Sequence, residues 1–191
     1  MVNNYLMLMA LPLAGWFIVE YLVKNASTSN IMLSFFTLPM MAVTPIALWW
    51  IIRRLRREYL YDSILGIQAW SFGVQLMFYA GLIEALFIYV YNEFLVPGNI
   101  ARVQQAAIAQ YESAYTTLET LGGYEKWMPK FQETIEQMKE LPVTSPIETA
   151  ISTLSNDVFF AIILMIPIAL IVRRRPAAYD SNPNRPDGNA Q

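Results

Sequence analysis

Two acidic residues inside apolar stretches are the positions at which this sequence could carry out chemistry. Glu84 interrupts one apolar run, and Asp157, next to Asn156, interrupts another. A charged side chain in the hydrocarbon core of a membrane costs roughly 2.5–3.5 kcal/mol on insertion scales, so ionisable residues kept there commonly bind a proton or a cation. The sequence therefore predicts an intramembrane proton or cation site at Glu84, Asp157 and Asn156.

The depth of these side chains leaves a second interpretation open. At about 1.5 Å per helical residue, Asp157 lies about 24 Å along its helix from Arg173, and Glu84 lies about 30 Å from Ile64. Both positions therefore fall in the outer third of a bilayer or at its rim. If the helix is little tilted, Glu84 simply reaches the water outside, and the same is expected of Glu20 near the end of the first apolar run.

The composition excludes several other kinds of chemistry. The chain has no cysteine and no histidine, which removes thiolate nucleophiles, disulfides and the commonest metal ligand. Phosphate-binding glycine loops and the HExxH zinc motif are absent as well. We therefore predict no catalytic residue, no metal and no cofactor, and expect that the protein is not an enzyme. A formal charge of −2 without a basic face argues against nucleic-acid binding.

Four apolar runs are long enough to cross a membrane and would position the carboxylates. Hydrophobic residue types make up 55% of the chain, more than a soluble domain of this size normally carries. The runs lie at about residues 5–23, 31–52, 64–91 and 149–172. Because about 20 helical residues cross a hydrocarbon core of about 30 Å, the sequence predicts an all-α membrane protein with four transmembrane helices in one domain, 1–175. Residues 176–191 have too little apolar content to fold and predict a disordered cytosolic tail.

Arginine clusters at the ends of two runs indicate the orientation. With four spans the two clusters lie on the same side of the membrane. Because basic residues beside membrane spans stay in the cytosol, both termini are predicted to be cytosolic. Arginines near anionic lipid gain about 1 kcal/mol each, while tryptophans settle at headgroup level. This pattern predicts a multi-pass protein of the bacterial inner (cytoplasmic) membrane. The predicted anchors in the lipid headgroups are Trp49, Trp50, Arg53, Arg54, Arg56, Arg57, Arg173, Arg174 and Arg175.

Residues 99–141 predict a helical hairpin on the outer side of the membrane. Apolar residues recur there at steps of three and four, in two stretches joined at Gly122-Gly123, which indicates two amphipathic helices. The surrounding segment, 92–148, has eight carboxylates and four basic residues. Its net charge of −4 disfavours binding to anionic lipid, so the hairpin is expected to pack on itself, on the bundle or on a partner.

Small residues in the third run predict a helix-packing face. Gly66, Gly73 and Ala80 recur every seven residues and share a face with Glu84, and small residues let helices approach closely in lipid. The favoured hypothesis is a structural or interaction subunit that docks a membrane-protein partner or its own copy. The alternative is a small proton- or cation-linked transporter that uses Glu84 and Asp157. The absence of an inverted repeat in the sequence counts against the transporter.

From Trp49 to Arg175 the sequence resembles a known family. The run DSILGIQAWSFGVQLMFYAGLIEALFIYVYNEFLVPG is followed by polar helices with EQMKE and by a last apolar helix ending in RRR. Together with the small-residue spacing before Pro97, this order is similar to that of an uncharacterised (domain of unknown function) family of small four-helix bacterial inner-membrane proteins. The resemblance implies an integral inner-membrane protein with an outward helical insert, and it implies no activity.

Overall fold

The computed structural model describes residues 2–28, 31–122 and 128–174, which are almost entirely helical. The helices are α1 Val2–Ser27, α2 Ile31–Tyr59, α3 Gly66–Val90, α4 Asn99–Leu121, α5 Met128–Glu140 and α6 Pro146–Val172, and a π-helical turn at Tyr91–Leu95 continues α3. By length and composition α1, α2, α6 and α3 with its π-helical turn could cross a membrane. The predicted all-helical architecture, with four helices long and apolar enough to span a membrane, is confirmed for the described residues.

The membrane-length helices extend beyond the apolar runs that predict them, because polar residues continue the helices at their ends. The start of α6 shows how this happens. Ser145 Oγ accepts a hydrogen bond from the Glu148 amide at 3.3 Å, and Glu148 Oε2 accepts one from the Ser145 amide at 2.8 Å. This capping box, with Pro146 at the first helical position, begins the helix several residues before its apolar part.

Helix α3 is the centre of the bundle. It packs along α6 on one side and along α1 on the other, and α2 packs mainly against α1. The main core consists of apolar side chains from all four helices, such as Leu6, Leu48, Leu76 and Met165. Many large apolar side chains point away from the bundle instead, as expected of residues that face lipid rather than water.

Helix α2 packs closely through only its second half. Leu48, Ile51, Ile52 and Leu55 are buried, whereas no described side chain of α2 before Thr44 is buried. The start of α1 lies beside the end of α2, where the rings of Tyr5 and Tyr59 are 4.8 Å apart. The loosely packed half of α2 therefore lies at the opposite end of the bundle, beside the end of α1.

The link between α2 and α3 is fastened to the end of α6. Ile64 and Arg174 form two antiparallel backbone hydrogen bonds of 2.9 Å. Arg56 donates to the carbonyl of Val172 at 2.7 Å, and Asp62 forms ion pairs with Arg56 (Nε–Oδ1 3.0 Å) and with Arg174. We call this arrangement of Arg56, Asp62 and Arg174 the clasp. It places both arginine clusters at one end of the bundle, although Arg175 and the predicted tail lie outside the described residues.

Because Asp62 pairs with two arginines in the clasp, we expect the charge of Asp62 to stabilise the fold. Asp62 has a left-handed backbone (φ 58°), which asparagine also tolerates, so Asp62→Asn removes the charge with little effect on the backbone. We expect this variant to lose about 1 kcal/mol of stability, because two ion pairs and the tie to α6 are weakened. Thermal unfolding followed by tryptophan fluorescence measures the loss.

Glu58→Gln is the matched control for the clasp. Glu58 is also paired with an arginine, Arg54, at 2.7 Å, but both side chains are well exposed and belong to one helix. An exposed pair of this kind contributes about 0.3–0.5 kcal/mol. Equal melting temperatures for Asp62→Asn and Glu58→Gln would show that the clasp contributes no more than a surface pair.

Helices α4 and α5 pack against each other in antiparallel directions. Gln104 donates to the carbonyls of Met138 (3.3 Å) and Leu141 (3.0 Å), and Glu112 pairs with Lys139 at 2.6 Å. Gly122 ends α4 with a positive φ of 67°, a conformation that glycine adopts without strain. The residues that connect the two helices, 123–127, lie outside the described part of the chain.

Candidate functional site

A cavity of about 520 Å³ lies between α1, α2, α3 and α6. All four membrane-length helices contribute to its walls, and the loosely packed half of α2 forms one side. The carboxyl and amino side chains that line it belong to Glu20, Lys24, Glu84 and Asp157. The structure therefore brings the two predicted carboxylates together and adds two charged residues of α1 that the sequence does not assign to the same site.

Glu84 and Asp157 face each other across the contact between α3 and α6. Glu84 is only 7% exposed, and its carboxyl group lies beside that of Asp157. Gly81 makes this approach possible. A Cβ atom at that position would lie 3.2 Å from Asp157 Oδ2 and 3.2 Å from a methyl group of Leu154, so a larger residue would push α6 away.

Glu20 and Lys24 form the α1 side of the cavity. Their side chains are joined at 2.8 Å, one helical turn apart. Glu20 is only 9% exposed and lines the cavity, so the bundle covers most of the residue. The sequence indicates how far along α1 Glu20 lies. It does not indicate that α3 packs beside α1 and covers the glutamate.

The cavity contains more negative than positive groups. Lys24 is paired with Glu20, which leaves Glu84 and Asp157 without a cation of their own among the described residues of the cavity. Oδ2 of Asp157 is buried and has no hydrogen-bond partner in the described structure. A buried carboxylate oxygen without a donor is costly, and a proton or a positively charged ligand would satisfy it.

The polar residues around the carboxylate pair are few. Thr44 of α2 is buried and lines the cavity opposite the pair. Asn156 lines the cavity too, but it is exposed at the cavity's edge. Among the described residues, no group of three or more acidic, histidine or cysteine side chains is placed to hold a metal ion. The arrangement suits a shared proton or a singly charged cation better than a multiply coordinated metal.

The small-residue face of α3 is used inside the bundle. A Cβ atom on Gly73 would overlap the side chain of Met165 of α6, and Ala80 is completely buried. Gly66 differs, because nothing lies within 4 Å of where its Cβ would be. Gly66 is the first residue of α3, at the level where α6 ends. No helix therefore covers this part of the predicted face.

The predicted headgroup anchors divide into two groups. The guanidinium group of Arg53 lies 5.0 Å from the ring of Trp49, and that of Arg54 lies 5.5 Å from the ring of Trp50, which are cation–π distances. Arg56 differs from this pattern because its side chain is only 12% exposed and is held within the clasp. The exposed members with described positions are Trp50, Arg54, Arg57, Arg173 and Arg174.

An asparagine network beside the cavity is absent from the sequence prediction. Asn92, in the π-helical turn, donates to the hydroxyl of Tyr21 at 2.8 Å and accepts from Asn99 at 3.0 Å. Asn99 in turn accepts a hydrogen bond from Arg102 at 2.7 Å. Tyr21 lines the cavity, so this network joins the start of α4 to the site. In the sequence, the signal for this network is the pair of asparagines, Asn92 and Asn99, that follows a long apolar run.

The helices and the cavity together define the class of protein. Four membrane-length helices surround a cavity with paired carboxylates, and the outer surface is apolar. This is an integral membrane protein. Residues 7–174 match the family described as Protein of unknown function (DUF4199), and the chain belongs to this family. The predicted resemblance to an uncharacterised family is thereby confirmed. No curated protein and no solved structure matches the chain.

Proposed function

We propose that the protein is a small membrane carrier that binds a proton or a cation between Glu84 and Asp157. The observation that supports this most directly is the buried Oδ2 of Asp157, which has no hydrogen-bond partner in the described structure and lies beside a second carboxyl group in a cavity. Holding two carboxyl groups together away from water opposes folding. A ligand that neutralises the two groups would remove this unfavourable contribution to folding, so the pair is better suited to binding a ligand than to stabilising the fold.

The loosely packed half of α2 is the element that could move in such a carrier. Its described side chains before Thr44 are not buried, whereas its second half is held in the core and by the clasp. The carboxylates lie about 24–30 Å along their helices from the arginine end. With the arginines in the cytosol, the cavity would lie in the outer half of the membrane.

Electrical measurements on proteoliposomes test the carrier proposal. A proton or cation that enters a site within the membrane moves charge, so a jump in pH, Na⁺ or K⁺ should produce a transient current on a solid-supported membrane. We expect Glu84→Gln to reduce this current by about tenfold, because the variant keeps the side-chain shape and removes one of the two charges. Glu119→Gln is the control, since Glu119 is an exposed residue of α4 away from the cavity.

Two outcomes would contradict the proposal. One is a wild-type protein that produces no current above that of empty liposomes after any of the three jumps. The other is a Glu84→Gln current equal to those of the wild type and Glu119→Gln. Gel filtration of each variant before reconstitution confirms that a lost current does not reflect a misfolded protein.

A structural or interaction subunit is the second candidate, and the α4–α5 pair favours it. Asn99 is the only buried residue of α4 and Ile135 the only one of α5, so most of the pair is free to contact a partner. The small-residue face of α3 does not support this role, because α6 covers Gly73 and Ala80. Crosslinking that yields only monomer, for wild type and Tyr111→Glu alike, would remove this candidate.

A further inference from the structure

We infer that the ligand of the cavity is an amphipathic organic cation, with one positive group and an apolar body, that enters from the lipid between α2 and α6. This inference rests on the proposed function and names the chemical class of the ligand. It follows from the size of the cavity, the chemistry of its walls and the side on which it opens.

The volume of the cavity is too large for a bare ion. A cavity of about 520 Å³ compares with about 30 Å³ for a water molecule in the liquid, and it falls within the range of about 300–1,000 Å³ typical of sites for small organic molecules. The described residues also lack a group of three potential ligands that could hold a metal ion. An ion alone would leave most of the space and most of the wall without a partner.

The walls match a ligand with an apolar body. Away from the carboxylates the cavity is lined by the aromatic rings of Phe17, Tyr21, Phe159 and Phe160 and by methionines of α2 and α3. Aromatic faces attract cations as well as apolar groups. A ligand with an aromatic or alkyl body would cover these walls while its positive group lies between Glu84 and Asp157.

The balance of charge favours a single positive group on the ligand. The cavity holds three carboxyl groups and one ammonium group, and the ammonium group of Lys24 lies on Glu20. One cation in the cavity would face both Glu84 and Asp157, and Oδ2 of Asp157 has no hydrogen-bond partner among the described residues.

The opening of the cavity lies on the lipid-facing side of the bundle. Met41 of α2 and Phe159 and Phe160 of α6 line the cavity, and all three are also exposed on the outside of the bundle. In a membrane these side chains would meet lipid. An amphipathic cation, which concentrates at the boundary between headgroups and acyl chains, would reach the carboxylates through this side.

Calorimetric titration of the full-length protein in nanodiscs tests the inference with a matched pair of probes. The first probe is 4-phenylbutylammonium, and the second is 4-phenylbutanol, which has the same body and a hydroxyl group in place of the ammonium. We expect saturable binding of the ammonium compound to wild type and to Glu119→Gln, and no saturable binding of the alcohol. Affinity for the ammonium compound should fall about tenfold in Glu84→Gln and severalfold in Phe160→Ala.

The outcomes separate the inference from the proposed function. Equal binding of the two probes, or equal affinity in wild type and Glu84→Gln, overturns the inference. If Na⁺, K⁺ or pH jumps give Glu84-dependent currents while the ammonium compound does not bind, the carrier proposal stands and the organic ligand is rejected. If neither experiment depends on Glu84, both proposals fail. Titration of empty nanodiscs corrects for partition of the probes into lipid.

Discussion

Gly73→Leu should destabilise the bundle, because a side chain at this position overlaps Met165 where α3 meets α6. Even the first carbon of a side chain at this position would overlap Met165, which is itself completely buried. Overpacking a close contact typically costs about 1–3 kcal/mol, and here the displaced helix also carries Asp157. We expect little or no monodisperse protein on gel filtration, and a melting temperature at least several degrees lower for whatever is recovered.

The same substitution in α1 provides the control for this prediction. Nothing lies within 4 Å of a Cβ built on Gly15, and the residue is exposed on a membrane-length helix. Gly15→Leu should therefore fold like the wild type. The double variant Gly73→Leu with Met165→Ala should recover part of the loss, since the smaller residue on α6 returns the space. Normal folding of Gly73→Leu alone would contradict the packing of α3 on α6.

Neutralising the carboxylate pair should stabilise the fold while it removes ligand binding. Glu84 and Asp157 lie together in the bundle, and Lys24, the basic residue of the cavity, is paired with Glu20. Replacing one carboxyl group by its amide leaves one ionisable group instead of two in the buried pair, so less charge has to be desolvated. We expect Glu84→Gln and Asp157→Asn each to gain about 1–3 kcal/mol in thermal unfolding.

The double variant distinguishes a binding site from a structural pair. Once one charge has been removed, the second substitution has less repulsion to relieve, so the combined gain should be smaller than the sum of the single gains. Glu119→Gln should leave stability unchanged, as expected of an exposed residue. If both single variants are instead less stable than the wild type, the pair holds α3 and α6 together and its role is structural.

The architecture could be predicted because it depends on local properties of the chain. Mean hydropathy over a membrane thickness reveals the four long helices, and the residues Ser145, Pro146 and Glu148 specify where α6 begins. The two arginine clusters could be placed at one end of the bundle because an even number of crossings separates the links that carry them. The clasp between Asp62 and Arg174 places them there in the structure.

The composition of the site could be predicted only in part, because it depends on which helices are neighbours. A helical wheel shows that Glu84 shares a face with Gly73, but it does not show that this face meets Asp157. Glu20 is covered because α1 lies beside α3, and the spacing of residues along α1 contains no sign of that contact. The wheel also places Gly66 on this face, although no helix covers Gly66 in the structure. Periodicity gives the direction of a helix face but not the length over which another helix packs on that face.

The packing of α3 on α6 also has a consequence for biosynthesis. The ribosome delivers α3 to the membrane before α6, so Glu84 enters the bilayer before Asp157 and Met165 have been made. During that interval α3 can pack on α1 and α2, and α6 packs later along the small-residue side of a helix already made. Translation that stops before α6 would therefore leave a fragment in which Glu84 lacks the cover that α6 provides in the finished bundle.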